Sequence, residues 1–387
     1  MDLFAALGYT APMRRIYLDN ASTSFPKAPG VLEAMSSYLS QNASNPGRGS
    51  YNHALQAMEL VIACRSKLST LFGCTDSRNV VFSLNVTTAL NTLMAGLLTR
   101  EDHVLVSGVE HNAVMRALVL HRIPYSVIPC DKDGRIIVEA MPELVGARTK
   151  ALFLTSASNV TGTIQPIREA GEAAHRLGLW TCIDTAQGTP TVDCRLEEGV
   201  IDAIAFTGHK GLAGPQGVGG LVLSSNLANC VTPSVGGGTG SRSESFAMPD
   251  LMPDRLEAGT QNIVGIAGLS AALDFLNTRG MMDRTSCSKL LSYFLSDSRI
   301  TVIGPATMEE RTSVISITVK SFDLAELAYR LDAEYGIQTR YGLHCAPLAH
   351  TTLGTLQTGT IRFSCGYATT TEEIEYTIQA MKELLYR

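Results

Sequence analysis

The chain has 387 residues, 45% hydrophobic and 17% charged, which suits two domains with sizeable cores and excludes a disordered, collagen-like or coiled-coil chain. With 31 Lys and Arg against 36 Asp and Glu the formal charge is -5, and no basic run of the kind that grips a nucleic acid is present. Apolar stretches are broken well before the roughly 20 residues of a membrane span, and residues 1–15 lack the basic region of a secretory leader.

A helical pattern comes first, at 53–71. From about residue 79 to 223, apolar β-branched runs alternate with helical patterns. VVFSL from Val80 leads to a helix over 86–99, and HVLVSG from His103 to one over 111–122. YSVIP from Tyr125 and ALFLTS from Ala151 follow, then a helix over 167–178. WTCID from Trp180, DAIAF from Asp202 and GGLVL from Gly219 complete seven strands. Strand–helix alternation with continuously apolar strands predicts a mostly parallel seven-stranded sheet with helices on both faces. The glycine-rich stretch 236–240 and the SRSESFAMPDLMPD that follows read as a long surface loop. After residue 280, helices at 283–297, 322–336 and 371–386 flank VISITV from Val314 and TIRFS from Thr360, which predicts a smaller α+β unit.

The nine cysteines are odd in number and contain no Cys-x-x-Cys pair. That speaks against a disulfide framework and against a zinc ribbon, so no metal is expected and a reducing, cytoplasmic setting is.

Ligands of parallel sheets sit at the carboxyl ends of the strands, and polar clusters follow several strands here. In TGHKGLAGPQGVGGLVL, Lys210 follows a strand and precedes glycines 211, 214, 217, 219 and 220, which let backbone pass close to a bound group. A lysine so held can form a Schiff base with an aldehyde cofactor; the plain alternative is a solvated turn lysine. Asp184 ends an apolar strand, where an acid needs a partner such as a protonated pyridine nitrogen. Gln187, three residues on, can hydrogen-bond near such a ring, and a helix cap by Asp184 is the competing reading. Thr87 and Thr88 sit at a helix amino end, which either binds phosphate or is merely capped. His111 opens a helix after a strand, where it stacks on a flat ring or simply caps. Asn159 follows a strand in SNVTG. Cys345 lies in the Gly- and Pro-punctuated RYGLHCAPLAH, with His344 and Arg340 as positive neighbours able to favour a thiolate. Arg362, in TIRFSCG toward the end of a strand, suits a carboxylate clamp or is an exposed strand arginine.

Together and in this order, EHNA, SNVTG, IDTAQ, TGHKG, LEAGTQN and RYGLHCAPL resemble the class V aminotransferase family of pyridoxal 5'-phosphate (PLP) enzymes, and within it the cysteine desulfurases of SufS type. The resemblance runs from Ile16 to Gly366. It implies the PLP-dependent transferase fold type I, with a large PLP-binding domain at 21–279 and a small domain built from both termini, 1–20 and 280–387. It implies a homodimer with shared sites and a persulfide passed to a protein acceptor, iron–sulfur cluster assembly being one use of such sulfur.

By the same resemblance, Lys210 is the cofactor lysine, Asp184 the pyridinium partner and His111 the stacking residue. Gln187 and Asn159 lie around the ring hydroxyl. Thr88, Thr207 and His209, with Thr87 beside them, hold phosphate, and Thr260 comes from the other subunit. Arg362, Arg340 and Asn159 bind the L-cysteine substrate, and Cys345 accepts its sulfur. Relatives of this subgroup carry Arg-Thr-Gly-His-His-Cys where this chain has Tyr341 and Leu343, and His-Arg-Gly-x-His where it has Gly47, Arg48, Gly49, Ser50 and Tyr51. A selenocysteine lyase, another C–S lyase or an aminotransferase shares Lys210, Asp184 and His111 without requiring Cys345. A cysteine hydrolase pairing Cys345 with His344 or His350, and a non-catalytic binding protein docking through 236–240, complete the alternatives.

Overall fold

The computed structural model describes residues 15–47, 49–279 and 284–386. Arg48 and the first dozen residues, both singled out above, lie outside the described residues. The strands are β1 (Ile16–Tyr17), β2 (Val80–Ser83), β3 (His103–Ser107), β4 (Tyr125–Ile128), β5 (Thr149–Thr155), β6 (Trp180–Asp184), β7 (Ala203–Thr207) and β8 (Gly219–Leu223). Beyond them come β9 (Ile300–Ile303), β10 (Val314–Val319), β11 (Ile337–Gln338), β12 (Arg340–Gly342) and β13 (Thr360–Ser364).

Seven strands form the central sheet in the order β2-β8-β7-β6-β5-β3-β4. β3 through β7 run parallel, and β8 is antiparallel to both its neighbours. The expected mostly parallel seven-stranded sheet is therefore present. Side chains alternate across it with period two. Leu105, Leu152, Leu154, Ile183, Ile204 and Phe206 enter one core. Val104, Val106, Ala151, Phe153, Cys182 and Ala205 enter the other. Phe153 and Phe206 are fully buried, each contributing roughly 1.5–3 kcal/mol relative to exposure.

The helices Asn52–Leu71, Val86–Leu97, Asn112–His121 and Ile167–Arg176 stand where the periodicity places them. Helix Ile263–Arg279 escaped that reading. Its apolar residues run all round its circumference, because it is wedged against helices Val31–Ser37 and Asn52–Leu71. No helix or strand forms between Cys230 and Ile263.

The remaining strands make a four-stranded antiparallel sheet, β12-β13-β10-β9, and the parallel pair β1-β11. Helices Thr285–Ser296, Leu324–Tyr335 and Thr371–Tyr386 cover them. Ile16 and Leu18 are buried in this core with Phe294, Ile315 and Phe363. The Ser364 N–H donates to the Leu18 carbonyl at 2.7 Å, so the amino-terminal segment is tied to the end of β13.

Three glycines after Lys210 have a different task from the one expected. A Cβ on Gly211 would lie 1.9 Å from the Thr189 carbonyl oxygen, one on Gly219 2.6 Å from that of Phe206, and one on Gly220 2.1 Å from that of Val81. They admit neighbouring protein backbone, not a ligand: Gly211 lets the Lys210 turn press against the loop after β6, while Gly219 and Gly220 lie in β8 against the backbones of β7 and β2.

Candidate active site

Parallel strands end at one edge of the sheet, and there the polar clusters meet. Asp184 is the last residue of β6 and Thr207 the last of β7, with His209 and Lys210 just beyond. After β2, the Asn85 side chain accepts from the Thr88 N–H at 2.9 Å and opens helix Val86–Leu97. After β3, His111 opens helix Asn112–His121, its Nδ1 accepting from the Ala113 N–H at 3.0 Å. His111 therefore does cap a helix, but it also lines a pocket of about 240 Å³ with Thr87, Asn91, Asn112, Arg116 and Cys345.

Burial, opposed by Asp184 and Cys345 and reinforced by Arg362 and Arg340, pushes the Lys210 amine down to about 8. One lysine thus lies within the field of Asp184, Arg362 and Cys345, which come from β6, β13 and the loop after β12. Burial likewise pushes His111 down to about 4, helped by the Lys210, Arg362 and Arg116 charges, so its imidazole is neutral at pH 7. His209 falls to about 4 for the same first reason, with Lys210 and Lys27 adding to it. Asp184 is buried, which raises its pKa; its Oδ1 accepts from the Ala186 N–H at 2.9 Å. Thr207 Oγ1 is buried without a partner. The Gln187 amide donates to the Ala21 carbonyl at 2.8 Å.

Cys345 is exposed, in a loop that two asparagines clamp. Asn159 Nδ2 donates to the His344 carbonyl at 2.6 Å, and the Asn112 N–H to the Cys345 carbonyl at 2.9 Å. His344 and Cys345 both adopt left-handed backbone, at φ 49° and 57°, a region that costs L-residues about 1–2 kcal/mol each. His344 is not the positive neighbour expected. It is buried, 2.9 Å from Thr360 Oγ1. Burial, with Arg362, His350 and Arg340 nearby, pushes it down to about 2. His350 is also buried, 2.7 Å from Thr355 Oγ1. Neither histidine is arranged as the base of a cysteine hydrolase.

Arg362 is buried, not an exposed strand arginine. It donates to the Asn159 backbone carbonyl at 3.0 Å, and to Asp19 Oδ1 and Ser22 Oγ at 2.8 Å each. Arg340 reaches the same Ser22 at 2.7 Å. Thr260 stands exposed ahead of helix Ile263–Arg279.

Four site-forming residues were missed in the sequence. Asp19 ends the β1 segment as Asp184 ends β6, and the same signal, an acid closing an apolar run, marks it. Glu110 precedes His111 in EHNA. It is fully buried and accepts from Ser107 Oγ at 2.6 Å and the Thr155 N–H at 2.7 Å. Burial, with Asp184 adding repulsion, lifts its pKa to about 8. Lys27 donates to the His209 carbonyl at 3.1 Å and holds the backbone just before Lys210. Arg116 sits one helical turn from Asn112 and so shares its face, in the Cys345 pocket.

Among the described residues no cluster of His, Cys, Asp and Glu suits a metal ion, and no helix is long and apolar enough to cross a membrane. A probable cysteine desulfurase of Methanothermobacter thermautotrophicus is 30% identical over 95% of this chain and 94% of its own. The cysteine desulfurase CsdA of Escherichia coli is 31% identical over 96% of this chain and 94% of its own. The crystal structure of that protein in an S-sulfonic acid form superposes with a TM-score of 0.84, 28% identity and coverage of 96% and 94%. An apo cysteine desulfurase from Thermococcus onnurineus superposes with a TM-score of 0.88, 26% identity and coverage of 96% and 95%. The Aminotransferase class-V family model matches residues 16–377. A strand-end lysine, an acid and a histidine gathered at one sheet edge, in a chain matched nearly throughout, make this protein a member of the class V aminotransferase family, among relatives named cysteine desulfurases.

Proposed function

We propose that the chain is a PLP-dependent cysteine desulfurase, which converts L-cysteine to L-alanine and carries the sulfur as a persulfide on Cys345. The observation that carries this reading is that Lys210, in the turn after β7 at the sheet edge where β6 ends in Asp184, lies within the electrostatic reach of Asp184, Arg362 and Cys345. The residues fit the cofactor. A buried Asp184 carboxylate with a raised pKa calls for a cation, which a pyridinium N–H provides. The partnerless Thr207 hydroxyl calls for an acceptor, which a phosphate provides. Thr87 and Thr88 at their helix amino end, with His209, complete that phosphate site, and the exposure of Thr260 suits its supply to a second copy in a homodimer. Gln187 and Asn159, whose amides donate to the Ala21 and His344 carbonyls, would hold the ring hydroxyl through their side-chain oxygens.

PLP, when bound, supplies an electron sink for the pair released at the substrate Cα. Lys210 holds the cofactor and then moves the Cα proton, its amine poised near neutrality for that work. His111, kept neutral, would hold the cofactor ring by stacking and could share protons with it. Arg362, with Arg340 beside it, takes the substrate carboxylate in competition with Asp19. The Cys345 thiolate attacks the substrate sulfur. An S–S bond forms as the C–S bond breaks, the electron pair stays with carbon, and carbon takes a proton and leaves as alanine. The enzyme persulfide then serves a protein acceptor.

Nine free thiols suit the reducing cytoplasm in which such carriers persist. The larger unit at 21–279 and the smaller one from 1–20 and 280–387 belong to the same reading.

Mass spectrometry of the Cys345 peptide after L-cysteine should find one added sulfur. Cys345→Ser should keep the visible cofactor colour yet form no persulfide. Borohydride should fix the cofactor to Lys210 and leave Lys210→Ala unlabelled. Sulfide release by Cys345→Ser at the native rate would refute the persulfide role and favour a direct C–S or selenocysteine lyase.

A further inference from the structure

The turn after β5 is gripped along its length by residues remote in sequence. Its four consecutive backbone carbonyls, 159–162, each accept a hydrogen bond from the side of the four-stranded sheet. The Asn159 carbonyl accepts from Arg362 Nη1 at 3.0 Å, and that of Val160 from the Ser316 hydroxyl. The Thr161 carbonyl accepts from Arg311 Nη2 at 2.8 Å, and that of Gly162 from the Thr312 N–H at 2.9 Å. Arg362 belongs to β13 and Ser316 to β10, while Arg311 and Thr312 lead into β10. The turn and all four donor residues are buried.

The strand pattern explains how these donors meet the turn. Ile315 and Ile317 enter the core of the four-stranded sheet, so Ser316 between them faces the other way. It stands opposite Arg362 in the β10–β13 register, which puts both donors on one face. Arg311 is a fully buried cation, and among the described residues no carboxylate forms an ion pair with it. Burial pushes it down to about 10, so it is still charged at pH 7. Its Nη2 also donates to the Ile303 carbonyl at 3.1 Å, which ties the turn to the end of β9. The fit has no slack. A Cβ on Gly162, whose φ is 78°, would lie 2.5 Å from the Val314 carbonyl oxygen, and one on Gly304 2.6 Å from Thr161 Cβ.

The first residue of this turn is Asn159, whose side chain donates to the His344 carbonyl beside Cys345 at 2.6 Å. Ser316 and Arg311 do not line the Cys345 pocket themselves. We propose that Ser316 and Arg311 are positioning residues for sulfur transfer, which fix the turn 159–162 and through Asn159 set the loop that presents Cys345. The inference rests on the persulfide role given to Cys345 above. Filling a core accounts for the burial of these side chains, but an apolar residue would do that without spending a hydroxyl and a guanidinium on adjacent carbonyls. A turn held at four successive points moves as one piece with β10 and β13, so Asn159 is placed relative to Arg362 before substrate arrives.

Ser316→Ala removes one donor and no charge. In the purified holoenzyme, well below the melting temperature of every variant, hydrogen exchange of the peptide spanning 341–348 should accelerate by about two- to tenfold. Single-turnover persulfide formation on Cys345 with L-cysteine should slow by a similar factor, while cofactor colour persists. Arg311→Met should act in the same direction by about tenfold or more, since its donor is charged; if that variant does not fold, Ser316→Ala decides alone. A double-mutant cycle separates positioning from general loosening. In an Asn159→Ala background the clamp is already gone, so adding Ser316→Ala should change neither quantity further. Exchange of 341–348 in Ser316→Ala within about 1.5-fold of native, or effects that multiply in the double variant, overturn the proposal. If the native enzyme forms no persulfide, the functional reading fails, and the exchange cycle still decides whether Ser316 acts on the Cys345 loop through Asn159.

Discussion

Replacing Asn159 with Ala removes the amide that donates to the His344 carbonyl at 2.6 Å, while the backbone carbonyl that receives Arg362 remains. His344 and Cys345 both sit in the left-handed region, so the loop stores about 2–4 kcal/mol of backbone strain. Against it stand three hydrogen bonds: Asn159 to His344, Asn112 to Cys345 and Ala346 to Leu343. Each is worth about 1 kcal/mol net, so strain and restraint are closely matched. Loss of a buried bond costs 1–3 kcal/mol, which shifts the loop equilibrium by roughly 5- to 150-fold. Hydrogen exchange of the peptide spanning residues 341–348 should accelerate by that factor in the absence of substrate. Single-turnover persulfide formation on Cys345 should slow by about tenfold or more, while cofactor colour persists. If exchange and persulfide formation both stay within twofold of native, the clamp has no role in presenting Cys345.

Three further outcomes follow from the same geometry. Glu110 has a folded pKa raised to about 8, so its contribution to stability is complete below its ordinary value near 4.5 and is lost as pH rises through about 8. Glu110→Gln mimics the neutral acid, and its melting temperature should gain on native steadily between pH 5 and 8, by the equivalent of a few kcal/mol at most; parallel profiles would show that Glu110 is ionised in the fold. Arg362→Gln should raise KM for L-cysteine by about tenfold to a hundredfold, the loss of a bidentate charged contact, and steady-state kinetics with KM unchanged would remove Arg362 from the substrate site. Glu257→Gln leaves Arg65 buried beside an uncharged partner where native has a 2.7 Å ion pair, and this residue also accepts from the Phe82 N–H at 2.6 Å. Breaking such a pair costs about 3–5 kcal/mol, so calorimetry should find the melting temperature about 5 °C lower or more, with weaker cofactor retention through the adjoining Thr260.

The seven central strands and four of their helices were legible because buried parallel strands are continuously apolar and the helices between them carry a 3.6-residue stripe. Helix Ile263–Arg279 was not, since a helix covered on several sides has no polar face to set its period. Lys210, Asp184, His111 and Cys345 could be picked out one by one because a charged or nucleophilic residue at a strand end needs a reason to be there. That they converge is a property of the parallel sheet, which brings strand ends far apart in sequence to one edge.

Residue identities and their local spacing therefore determined the sheet, the family motifs and the candidate chemistry. Only the tertiary structure decided which groups share a field. It turned His344 inward to Thr360 and away from the role of a positive neighbour. It set Asp19 as the rival for Arg362 and gave Asn159 to the Cys345 loop. The physical reason is that partnership and desolvation depend on distance and burial, which a chain acquires only when segments remote in sequence pack together.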